Sequence, residues 1–166
     1  MQNWFEAVVE HEEAHHQTGK VTKFKEMFLV DAMTFTEAEA RLQEKIKEFA
    51  KREYDITKLG KIKIEELVDG GDYVKWFKVK VVYLIPVETK QGEVVEEQVE
   101  VEENGEVKTK GAVKVKKRPS ISIIHADTAE DACRLMTEHV KDSMFDFTVS
   151  EVKEYDLLDY FPYISK

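Results

Sequence analysis

His11-Glu12-Glu13-Ala14-His15 satisfies H-E-x-x-H, the spacing in which two histidines one helical turn apart grip a zinc ion and a glutamate serves as base for peptide hydrolysis. That chemistry needs a helix. Residues 4–9 instead alternate as a half-buried strand does, with Phe5, Ala7 and Val9 on one face, and the stretch runs on from them to a turn at Gln17-Thr18-Gly19-Lys20. On a strand His11 and His15 share a face but stand about 13 Å apart at roughly 3.3 Å per residue. One zinc ion with bonds of about 2.0 Å cannot reach both. No capping residue precedes His11 and no third ligand stands at a usable spacing, so neither a metal site nor a peptidase is expected.

Other residues that could do chemistry are few. Cys133 is the single cysteine, which excludes an internal disulfide and a multi-cysteine metal centre. It flanks a helical apolar stripe, and its one neighbouring base, His139, lies off that stripe. The chain contains no G-x-x-x-x-G-K-S/T loop, no G-x-G-x-x-G, no G-x-S-x-G and no C-x-x-C. The expectation is therefore a protein without catalytic residues, cofactor or metal. Two sets of candidate binding residues remain. Lys114, Lys116, Lys117 and Arg118 end a polar excursion over 93–118 whose front is acidic and whose Asn104-Gly105 signals a tight hairpin turn. The charges can pair across that ribbon, or the bases can touch an acidic partner or a nucleic-acid backbone. No aromatic residue is interleaved to stack on bases. Trp4 and Trp76 form the second set; they open similar strands and point away from the phenylalanine face, towards packing between halves or towards a partner.

The elements that must position these residues repeat. Trp4-Phe5-Glu6-Ala7-Val8-Val9 aligns with Trp76-Phe77-Lys78-Val79-Lys80-Val81, and residues 30–38 align without a gap with residues 124–132. Each copy leaves a strand and enters a helix through an S/T/D-x-x-E spacing, Thr34 with Glu37 and Asp127 with Glu130. Phe35, Ala38, Leu42, Ile46 and Phe49 make one helical stripe, and Ala129, Ala132, Met136, Val140 and Met144 the other. Strands over 54–64 and 147–155 follow. Asp69-Gly70-Gly71-Asp72 is the linker. The fold class expected is α+β: two tandem β-β-α-β repeats, 1–69 and 74–166, packed as a pseudo-twofold domain, the second with an inserted hairpin over 93–118. Its core is expected to hold Phe5, Val9, Val30, Leu42, Ile46, Phe77, Val81, Ile124, Met136 and Val140. Pro119 is expected at the first residue of a strand.

With 36% charged residues and a net charge of -9, the surface as a whole repels phosphate backbones and anionic lipid. No apolar run is long enough to span a bilayer, and acids stand where a signal peptide needs bases. A cytoplasmic protein with no membrane partner is expected. The strings W-F-E near the start, F-L-V-D-A-M-T-F-T-E-A-E-A-R over 28–41, K-W-F-K over 75–78 and D-Y-F-P-Y over 159–163 resemble an uncharacterised domain family of Bacteroidota and of their phages and mobile elements. The resemblance covers nearly the whole chain and implies no activity, cofactor or catalytic residue. The function expected is a non-enzymatic binding or assembly module, with a protein partner or self-association. The alternative is a nucleic-acid-associated accessory protein using 114–118.

Overall fold

The computed structural model describes residues 3–49, 53–87 and 115–163. The protein is α+β, and the described residues form two helices and two four-stranded sheets. Strands β1 (Trp4–Ala14) and β2 (Val21–Asp31) form a hairpin whose turn uses Gly19 at φ 66, a left-handed conformation glycine adopts freely. Helix α1 (Phe35–Phe49) and strand β3 (Tyr54–Ile62) follow, and β3 returns to the other side of β1. Further along the chain come β5 (Lys75–Pro86), β6 (Val115–Ala126), α2 (Ala129–Val140) and β7 (Asp146–Tyr155), with β7 beside β5.

Two short strands cross over. β4 (Glu66–Val68) follows β3 but pairs parallel to β6, whereas β8 (Leu157–Phe161) follows β7 but pairs parallel to β2. Sheet A is therefore ordered β3-β1-β2-β8 and sheet B β4-β6-β5-β7. The boundary read at Asp69–Asp72 does not separate them, because 66–68 completes sheet B and 157–161 completes sheet A.

Three apolar clusters stack the molecule in four layers. Phe5, Ala7, Val9, Phe28 and Val30 meet Ala38, Leu42 and Ile46 of α1, and Phe77, Val79, Val81 and Ile124 meet Ala132, Met136 and Val140 of α2. Trp4, Leu29, Ile64, Trp76, Ile123, Tyr155 and Leu157 fill the space between the sheets. A central strand covered on both faces buries consecutive residues, which is why Trp4 and Phe5, or Trp76 and Phe77, are both inside. All ten residues expected in the core are buried.

The helix starts differ in one respect from the sequence reading. Thr34 accepts the Glu37 N–H at 3.2 Å, and Glu37 reaches back to the Met33 N–H at 2.8 Å. At α2 the cap is Thr128, not Asp127: its hydroxyl oxygen accepts the Asp131 N–H at 3.1 Å, while Asp127 accepts the Val74 N–H at 3.3 Å. The ends of the apolar stripes are also corrected. Phe35 and Ala129 are exposed at the first helical position, and Met144 lies beyond the end of α2 and is 93% exposed.

Pro119 sits inside β6, opposite Val82, not at its start. The register explains why it is tolerated. Ile121 gives its carbonyl to the Glu65 N–H on the β4 side, and Pro119, two residues earlier, turns the same way past the end of β4. Its missing N–H thus faces no strand among the described residues. β3 and β7 each carry a bulge, facing Val8 and Val9 of β1 and Lys80 and Val81 of β5. The extra residue is Thr57 in one and Ser150 in the other, and each donates its hydroxyl to the carbonyl it faces, Thr57 to Val8 at 3.3 Å and Ser150 to Lys80 at 3.2 Å. No helix among the described residues is long and apolar enough to cross a membrane.

Candidate functional site

The densest polar and aromatic cluster lies where the crossed strands meet. Asp69, just past β4, accepts the Tyr160 hydroxyl of β8 at 2.8 Å on one oxygen. On the other it accepts the Gly71 N–H at 3.1 Å and faces His125 Nδ1 at 3.3 Å. Asp69 is held below the usual carboxylate range, chiefly by the Tyr160 hydroxyl and then by the Gly71 N–H. The same bond pushes Tyr160 up to about 12. His125 stacks on Trp76 with ring centroids 4.3 Å apart, Tyr73 meets it edge-on, and Tyr160 stands edge-on to both Trp4 and Trp76. A Cβ on Gly70 would come within 2.6 Å of the Tyr73 ring, so glycine is needed there for close approach.

A carboxylate behind an imidazole is half of a proton relay. His125 is flanked by the rings of Trp76 and Tyr73, and no described serine, threonine or cysteine hydrogen-bonds to it. The cluster ties the sheets together. A second tie lies deeper, where Tyr155 of β7 donates to Glu6 of β1 at 2.7 Å and Lys58 donates to the same carboxylate at 2.7 Å. Burial works to raise the Glu6 pKa, but the bonds from Lys58 and Tyr155 outweigh it and bring it below the usual range. Burial, and then the Glu6 carboxylate, push the Tyr155 phenol far up.

The residues singled out in the sequence are placed as follows. Trp4 and Trp76 are 4% and 8% exposed and lie inside the layer between the sheets. Lys116 and Arg118 lie opposite Ile85 and Tyr83 on the α2 side of sheet B, whereas Lys117 lies opposite Leu84 on the other side. Alternation along β6 splits the basic run between two faces. Arg118 is already paired with Glu65 at 2.9 Å. Lys114, with most of the 93–118 excursion, lies outside the described residues.

His11 is on β1, stacked on Phe24 at 5.4 Å, and His15 is in the turn, so H-E-x-x-H does not form on a helix. No group of three or more His, Cys, Asp or Glu among the described residues is placed to hold a metal ion. Cys133 is half-buried, and His139 donates to Glu66 at 2.8 Å.

Asp69, Tyr155 and Tyr160 were not singled out by sequence reasoning. Asp69 reads as linker, and the two tyrosines gain meaning only once β4 and β8 are known to cross over. The available signal was His125, which occupies the place of Asp31: each lies across from a tryptophan at a strand start.

No curated protein and no solved structure matches the chain. Residues 3–104, from the start of β1 through β5 and beyond, match the model of one protein family, described as Domain of unknown function (DUF4494). That match takes in more than half of the sequence, and the protein belongs to this family.

Proposed function

We propose that the protein is a non-enzymatic binding or assembly module acting on a protein partner. One observation carries this reading. The polar groups that could support catalysis are engaged in holding the sheets to each other, while large apolar side chains, Met144 and Met33 among them, stay on the surface where the core does not use them. A nucleic-acid role for Lys116, Lys117 and Arg118 draws no support from their split faces or from the Glu65 pair. Light scattering on the full chain over a wide concentration range, with capture on a tagged chain, tests the module reading. A strict monomer that retains nothing overturns it.

We also infer that the two parts arose by duplication and sit about a pseudo-twofold axis. The supports are the repeated element order, the reciprocal crossing of β4 and β8, and the two bulges closed by Thr57 and Ser150. The phage and mobile-element setting suggested by the resemblance suits an accessory binding protein.

A further inference from the structure

No further inference is drawn: the strongest candidate, the face of sheet B turned away from α2, where Lys80 and Lys117 stand beside the half-buried Val82, Leu84 and Ile121 past the end of the interlayer cluster, is an unpartnered sheet face, and nothing in the structure shows what covers it.

Discussion

Replacing Tyr155 with Phe removes one hydroxyl from the layer between the sheets and leaves the ring in place. That hydroxyl donates to the Glu6 carboxylate at 2.7 Å, and Tyr155 is buried, so water cannot readily substitute for the lost donor. A hydrogen bond to a charged group contributes about 1.5–3 kcal/mol. Lys58 still reaches Glu6, which places the expected loss in the lower half of that range. For a chain of this length each kcal/mol moves the melting temperature by about 2–4 °C, so a drop of roughly 3–8 °C is expected. The pH dependence supplies a second readout. Because the Glu6 pKa is lowered in the folded protein, its contribution to stability is full above the ordinary carboxylate value and is lost as pH falls through the folded one. Tyr155→Phe should raise the Glu6 pKa, followed by carboxyl-carbon NMR, and flatten that acid loss. In a cycle with Glu6→Gln the two substitutions should be non-additive. Additive effects, or an unchanged melting temperature and Glu6 titration, refute the claim that this bond ties the sheets.

The bulge hydroxyls make a matched pair: Thr57→Val and Ser150→Ala should each lower stability, by about 0.5–1.5 kcal/mol, in urea titration, because each leaves a bulge carbonyl without its donor. Trp4→Ala should cost about 3–5 kcal/mol by the same measurement, as a large buried side chain leaves a cavity between the sheets. Asp69→Asn should bring the Tyr160 phenol back from about 12 towards its ordinary value in ultraviolet titration. With the folded pKa raised, the Tyr160 contribution is full at neutral pH and is lost as pH rises through about 12, and the variant should lose it earlier.

The helices, the central strands and the ten core residues are legible because each rests on local periodicity: Ala38, Leu42 and Ile46 recur at helical spacing, and Phe5, Ala7 and Val9 at strand spacing. Local chemistry also places the strand under His11, so the H-E-x-x-H spacing is not carried by a helix. The cap of α2 is misplaced by one residue because Asp127 and Thr128 both suit an N-cap. Only the loop before β5 decides between them, by offering the Val74 N–H to Asp127.

Where β4 and β8 go is not legible, and the candidate site depends on it. A strand of three residues, Glu66–Val68, has too few side chains to show a period, and nothing in it favours β6 over β1 as neighbour. The choice is made at a distance, by Leu67 beside the interlayer cluster and by Glu65, Glu66 and Asp69 finding Arg118, His139 and His125. These contacts all join the first part of the chain to sheet B. Tyr155 and Tyr160 return the connection from the second part to Glu6 and Asp69. The polar residues most suggestive of catalysis are thus those that make the two sheets one body. A surface that distinguishes one sheet from the other must then be sought where positions of like register differ in chemistry, and Leu84 and Ile85, one and two residues past Tyr83 as Glu12 and Glu13 are past His11, are such positions.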